Sequence, residues 1–391
     1  MQDQTEARLR RIRGLVPPKR HDARTVAALT SNPGCARRAV LDAAGVDKER
    51  LARQVGFPSS FGQSPFAIVR GNVFEKRVTE DECVELLQLL REDLGIDLPV
   101  VSYADLSSTD RTGDTSTDRA DEMLRARYAG SRSRLFQAIV DARGGGASLF
   151  MHPLLRMPVG GRPVYLEPDL VAVQRGGSLQ VIEIKSFPVI DGQADGAKAA
   201  AAAIQAAVYV LALRRMLGRP ELVSDDVVLV CPKDFSNTPV ATRVDVRRQI
   251  LVLEHQLARL TSIDQLLETL PAELTFRMAD RRDGAVAESV IKLTEALGHL
   301  PARYVPGCLS VCDMAFFCRQ EAVGCTAALG VGVREQLGGV ETVAEALGLA
   351  DGTVAPTEHQ TEAATTLRTI ARAYTSALDL SGKPRRRRGA E

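Results

Sequence analysis

The chain is predicted to be α/β, because in its middle third the hydrophobic period changes from that of helices to that of strands. Two observations accompany the change. Short runs rich in Val, Ile and Leu are punctuated by the pairs Gly160–Gly161 and Gly176–Gly177, and an Ala-rich segment of helical length separates the later strands. The 391 residues leave room for about two to three domains. With 45% hydrophobic and 25% charged residues, the composition is that of a globular chain and excludes wholesale disorder.

In chain order, residues 1–34 are basic and contain prolines, with a short helix expected over Ala23–Leu29. Helical spacing then covers Cys35–Val46, and Glu82–Leu94 carries Val84, Leu87 and Leu90 at three-residue intervals. Ser107–Asp118 is rich in Ser, Thr, Asp and Gly and reads as a loop, with Asp118 as N-cap of a basic helix running to Ala142 that Gly144–Gly146 ends. Strands are expected at Leu149–Met157, Val164–Val173, Leu179–Lys185 and Val227–Cys231, with Val240–Val246 as a further one. The helix Ala197–Arg215 interrupts them. Beyond lie a helix with Ile250, Leu253, Leu257 and Leu260 on one face, another near Ala287–Leu297, a group of cysteines, and helices over 331–350 and 359–379. The expected organisation is an N-terminal helical region (1–105), a helical insertion (106–146), an α/β core (147–250), a helical region with the cysteines (251–330), a helical appendage (331–380) and a basic tail (381–391).

Charge restricts the function classes. Fifty basic and forty-nine acidic side chains leave a formal charge of +1, so any nucleic-acid site must be local. The basic residues are overwhelmingly Arg, a bias that suits bidentate phosphate contacts and is equally produced by a GC-rich genome. No run approaches the ~18 apolar residues that span a bilayer, and the charged start does not resemble a secretory signal, so a cytoplasmic protein without membrane attachment is expected. Seven cysteines in such a chain favour metal or cluster ligation over disulfides.

The chemistry concentrates in EPDLVAVQRGGSLQVIEIKS, residues 167–186. Alternate side chains of a strand share a face, so Glu183 and Lys185 point one way and Ile182 and Ile184 the other. Charges on a central strand cost several kcal/mol unless compensated. A divalent cation is the natural compensation, and Asp169, across the Gly-Gly hairpin, is placed to join Glu183 as a hard oxygen ligand for Mg²⁺ or Mn²⁺. Lys185 then orients or deprotonates a water. The plainer alternative is that Asp169 caps a turn while Glu183 and Lys185 form a solvated edge pair. Downstream, Gln205 and Tyr209 share a helix face at i and i+4; upstream, Gly71 precedes Glu75 in GNVFEKR, the start of another helical segment.

With Gly71–Glu75, Pro168–Asp169, Glu183–Lys185 and Gln205–Tyr209 in this order, the sequence resembles the PD-(D/E)XK nuclease superfamily, and within it the RecB-type nucleases, over roughly residues 25–325. The resemblance implies a restriction-endonuclease-like mixed sheet flanked by helices. It further implies metal binding by Asp169 and Glu183, a nucleophilic water served by Lys185, a site completed by Glu75, and support from Gln205 and Tyr209. About ninety residues separate Glu75 from Asp169, a gap that requires an insertion and makes Glu122 and His152 alternatives to Glu75; as ordinary residues these are a helix-surface charge and a hydrogen-bonding group at a strand start.

Cys308, Cys312 and Cys318 form C-x3-C-x5-C, and Cys35 stands alone before the nuclease motifs. Thiolates so closely spaced favour zinc or an iron–sulfur cluster. One N-terminal and three C-terminal cysteines resemble the iron–sulfur members of the RecB-type group, the CRISPR-associated RecB-like nucleases and the AddB-like proteins, which implies a 4Fe–4S cluster on Cys35, Cys308, Cys312 and Cys318 that joins the helical ends of the chain. Cys325 offers a rival, a local four-cysteine Zn²⁺ site. Cys83 and Cys231, each in an apolar run, read as buried thiols. The tail Lys383–Arg388 is a solvated charge run or a phosphate grip, and residues 337–350 only faintly resemble a helix-hairpin-helix. The implied function is a Mg²⁺- or Mn²⁺-dependent deoxyribonuclease of repair, recombination or anti-phage defence, acting on DNA with a helicase or defence-system partner. The rival is a non-catalytic nucleic-acid-binding or scaffold subunit. No GxxxxGK[ST] motif occurs in the chain.

Overall fold

A computed structural model describes residues 2–58, 65–99, 101–107, 117–234, 236–278 and 290–380. The predicted loop at 108–116, the first residues of the helix expected near Ala287 and the basic tail lie outside them. Two units are present, one formed by Met1–Leu51 with Gly62–Pro301 and the other by Ala52–Phe61 with Ala302–Glu391.

The first unit begins with helices α1 (Gln2–Arg13), α2 (Ala23–Thr30), α3 (Ala36–Ala44) and α4 (Lys48–Gln54), the last of which runs on into the second unit. α1 falls where the sequence predicts no element: only Leu9 and Ile12 among its apolar residues are fully buried, too few to make a pattern. α5 (Pro65–Val78) and α6 (Glu80–Glu92) follow, then β1 (Val101–Asp105), α7 (Thr117–Arg143), β2 (Ala147–Met151), β3 (Leu155–Val159), β4 (Arg162–Leu166), β5 (Leu170–Val173), β6 (Leu179–Ile184), β7 (Val189–Ile190), β8 (Gln193–Ala194), α8 (Gly196–Leu217), β9 (Asp226–Pro232), β10 (Pro239–Asp245), α9 (Arg247–Ala258), α10 (Ile263–Glu268) and α11 (Val290–Gly298). Asp118 lies within the first turn of α7, not ahead of it as predicted.

Six strands form one mixed sheet in the order β1-β2-β5-β6-β9-β10. β1 with β2 and β6 with β9 are parallel pairs, crossed over by α7 and α8, and the remaining pairs are antiparallel. β5 and β6 are buried at every residue because helices cover both faces of the sheet, the usual setting of apolar runs without alternation. They turn at Gly176 and Gly177, whose φ angles of 88° and 90° only glycine adopts freely.

On one face Phe74 and Val78 of α5 and Leu86 and Leu90 of α6 pack against Leu149, Leu170, Ile182, Ile184, Val228 and Val230. α8 covers the other, touching β6 and β9, with α2 and α9 behind it. Asp195 caps α8 by accepting from the Lys198 N–H at 2.9 Å, and Gly218 ends it in the left-handed conformation. Among the described residues α8 is the one helix long and apolar enough to cross a membrane, and its apolarity is that of a core helix, since twelve of its residues are buried.

The two long strands predicted at Leu149–Met157 and Val164–Val173 are each broken in two. Residues 152–154 separate β2 from β3, and 167–169 separate β4 from β5, so that β3 and β4 form their own hairpin about Gly160–Gly161. These breaks leave His152 and Asp169 together at one end of the central sheet.

The second unit is helical, with α12 (Ala315–Glu321), α13 (Val331–Gln336), α14 (Val343–Asp351) and α15 (Thr361–Leu380). Val340, Leu349 and Ala364 form a small core. Phe57 meets Phe317 edge to face at 5.6 Å, tying a segment from the N-terminal region to the C-terminal one within this unit.

Candidate active site

The site gathers where β6, β5 and β2 end. Glu183 is the next-to-last residue of β6 and has no exposure at all. Its Oε2 accepts a hydrogen bond from Lys185 Nζ at 2.5 Å, while its Oε1 is buried and without a partner among the described residues. Lys185 stays in register because its N–H donates to the Val230 carbonyl at 2.8 Å, one step beyond the β6–β9 ladder. The predicted alternation holds: Ile182 and Ile184 sit in the α5–α6 core, and Glu183 and Lys185 lie on the α8 side.

Asp169 stands immediately before β5, not at the end of a strand as the sequence implies. Its Oδ2 accepts from the Ile184 N–H at 2.7 Å, which bolts it across to β6. Its own carbonyl accepts from the His152 N–H at 3.0 Å.

Burial pushes the Glu183 carboxyl up to about 8, with Lys185 pulling it down and the Asp169 charge adding to the rise. Burial also raises Asp169, against the opposing pull of Lys185. For Lys185 burial acts to lower the pKa, but the carboxylates of Glu183 and Asp169 outweigh it and hold the ammonium above the ordinary lysine value. Its ammonium is thereby held beside the Glu183 carboxyl, 2.5 Å from Oε2. Without a cation Glu183 keeps its proton at neutral pH, with Oε1 buried and unpartnered among the described residues, a place where a small hard cation could replace the proton.

Glu75, on α5, completes the approach from the other layer. Its Oε1 lies 3.3 Å from His152 Nε2, and this hydrogen bond is the chief cause that raises the His152 pKa, against burial. His152 follows the end of β2 with φ 52°, so it is not the strand-start residue the sequence implied; its Nδ1 is 3.6 Å from Asp105 Oδ1 at the end of β1. A Cβ on Gly71 would stand 3.7 Å from the Ser186 hydroxyl, an ordinary contact, so α5 passes beside the chain just beyond Lys185 with room for a methyl group. Glu122 is exposed on α7. The two alternatives to Glu75 thus part: His152 is in the site as Glu75's partner, and Glu122 is a surface charge.

On α8, Gln205 Nε2 donates to the Tyr209 hydroxyl at 3.5 Å. Tyr209 is buried, and its pKa is raised well above the ordinary value first by burial and then by the charges of Glu183 and Asp169.

One residue goes unrecognised in the sequence. Arg127 of α7 donates to the carbonyls of Leu106 and His152, each at 2.8 Å, and to the Glu167 carboxylate at 2.7 Å. A single guanidinium so fastens the ends of β1 and β2 and the loop that carries Asp169. Its signal in the sequence is faint: an arginine in a stretch, residues 123–140, that contains four arginines and no acid.

Among the described residues no three His, Cys, Asp or Glu side chains stand together as a ready-made metal cage. Asp169 and Glu183 alone fit Mg²⁺ or Mn²⁺, which are held by one or two carboxylates together with substrate phosphate and water. Cys308, Cys312 and Cys318 of the second unit are all buried, Cys325 is exposed, and Cys35 of the first unit is the buried residue before α3. Burial raises the Tyr304 hydroxyl, against the pull of Arg319, and Cys308 and Cys318 add to the rise. Cys83 and Cys231 are the buried thiols expected, pushed by burial to about 12 and about 11.

No protein-family model matches the chain, and no curated protein matches it. Two solved structures are similar in part. A presumed exonuclease from Eubacterium rectale is 10% identical, with 65% of this chain and 81% of that one covered and a TM-score of 0.29. The protein SSO0001 is 12% identical, with 66% and 85% covered and a TM-score of 0.24.

Proposed function

We propose that the chain is a Mg²⁺- or Mn²⁺-dependent DNA nuclease of the RecB type, built on a restriction-endonuclease-like core. The observation that carries this reading is Glu183: a fully buried carboxylate with an unpartnered oxygen, beside Lys185 and next to Asp169. When bound, a divalent cation supplies charge neutralisation at the phosphate oxygens and makes a water more acidic. Asp169 and Glu183 would hold it. Lys185 presents its ammonium to the attacking water and to the charge that gathers on the phosphate. Glu75 and His152 close the α5 side, and Tyr209 with Gln205 keeps the Glu183 side chain walled from solvent.

The three buried cysteines of the second unit supply the soft thiolates that a 4Fe–4S cluster or zinc requires, and Cys35 is the fourth ligand expected from the sequence. Their role is structural. The setting is the cytoplasm, in repair, recombination or defence, with a helicase or other defence protein supplying any translocation.

End-labelled single- and double-stranded DNA incubated with the purified protein tests the reading. Cleavage with Mg²⁺ or Mn²⁺ that EDTA abolishes and Glu183→Gln removes is the expected result. Binding without cleavage under every metal condition would leave a nucleic-acid-binding subunit instead.

A further inference from the structure

Beside the site, α7 and the β3–β4 hairpin build a second constellation. The Arg156 guanidinium lies over the Tyr128 ring at 4.8 Å, and Tyr165 meets Tyr128 edge-on, centroids 6.3 Å apart at 70°. Arg156 and Tyr165 are cross-strand partners, so the pile is fixed from two elements. Arg156 is exposed, and among the described residues its recorded partner is this ring and not a carboxylate. A planar cation with one face on an aromatic ring and the other toward water is a platform for a further planar group.

What that group is follows from place and charge. Tyr128 adjoins Arg127, and Tyr165 lies two residues before Glu167; Arg127 and Glu167 form the ion pair that flanks Asp169. The same acid-free stretch of α7 carries Arg125, Arg132 and Arg134, and Arg132 covers the Phe136 ring at 4.8 Å. Arg132 and Arg134, with no acid one helical turn away, suit a phosphate backbone, whereas Arg125 follows Asp121 and Glu122 by a turn; interleaved aromatic rings suit unpaired bases. We propose that Tyr128, Arg156 and Tyr165 form a stacking subsite for an unpaired base of the substrate strand beside the scissile phosphate. The inference rests on the nuclease reading for its substrate, and it adds a ligand contact that the catalytic residues do not provide.

The test is binding by the full-length chain in EDTA, where cleavage is silent, read by anisotropy of a labelled oligothymidylate and a labelled blunt duplex. A second single strand carries a fluorescent adenine analogue whose emission falls on stacking. Arg156→Ala should weaken single-strand binding about tenfold and leave duplex binding unchanged. Arg156→Lys should keep most of the salt-sensitive affinity yet lose the quenching, because lysine has charge but no plane. Tyr165→Phe should behave as the parent. A parallel loss on single-stranded RNA also supports the subsite, since stacking reads the base and not the sugar. Parent-like binding by Arg156→Ala, or an equal loss on single strand and duplex, would overturn it. A chain that stacks the probe but cuts nothing with Mg²⁺ refutes the nuclease reading alone; one that cuts while Arg156→Ala binds as the parent does refutes the subsite alone.

Discussion

Glu183 governs the pH behaviour of the metal-free protein. Its folded value of about 8 lies above the ordinary 4.5, so the folded state holds a proton that the unfolded state has released. Stability is therefore greatest below the unfolded value and falls as pH rises through about 8. The raised Lys185 pKa contributes in the same sense but only above the ordinary lysine range, outside this window. Glu183→Gln should flatten the decline and raise the melting temperature at pH 8, by roughly 2–4 °C for each kcal/mol relieved. Thermal scans between about pH 5 and 9 check this, and Mg²⁺ should stabilise the parent but not the variant. Asp169→Asn and Glu183→Gln should remove cleavage altogether, and Lys185→Ala should lower it roughly 10²–10⁴-fold. Parent-like turnover in all three would dismiss the site. Lys185 and Glu183 are readable as a pair in the sequence, because paired charges in an apolar strand are conspicuous. The lone oxygen of Glu183 is not, since only the fold shows what fails to reach it.

At the scale of the element, positions depend on joints that a linear pattern hides. Arg127 holds three chain segments through one side chain, so Arg127→Ala should cost about 1.5–3 kcal/mol and slow cleavage about a hundredfold by letting the Asp169 loop drift. Lysine at this position should restore little, lacking the fork, and the KM for DNA should change less than kcat. Gln205→Ala and Tyr209→Phe should each leave measurable turnover, since neither side chain offers a charged ligand; complete loss in a folded variant would give that residue a direct part in the chemistry. The helices α3, α6 and α9 were legible from the spacing of their apolar residues, α8 from its alanines, and α7 from its basic run ended by Gly144–Gly146. The strand breaks at His152 and at Asp169 were hidden by the Val, Leu and Met on either side, and their signal in the sequence is Pro153 and Pro168, which cannot donate to a ladder. β1 was hidden for another reason: in VSYAD only Val101 and Tyr103 mark the inward face, too short a run to fix a period.

For the whole molecule, the first unit holds the six-stranded sheet with its flanking helices, whereas the grouping of Ala52–Phe61 with the C-terminal residues follows from a contact such as Phe57–Phe317 that no local pattern announces. Protein purified without oxygen should carry iron and sulfide that Cys308→Ser, Cys312→Ser and Cys318→Ser each release. Elemental analysis of Cys35→Ser and Cys325→Ser then identifies the fourth thiolate, and zinc lost from Cys325→Ser but kept by Cys35→Ser would replace the cluster by a local four-cysteine site. The parallel pairing of β6 with β9 also has a temporal meaning. Lys185 is held by the carbonyl of Val230, some forty-five residues further along, and α8 must cross the sheet before that bond can close. During synthesis the acidic pair therefore leaves the ribosome well before its lysine can be set. A nascent chain stalled ahead of β9 holds Asp169, Glu183 and Lys185 but no ordered centre, so these side chains come together only once the sheet has been completed.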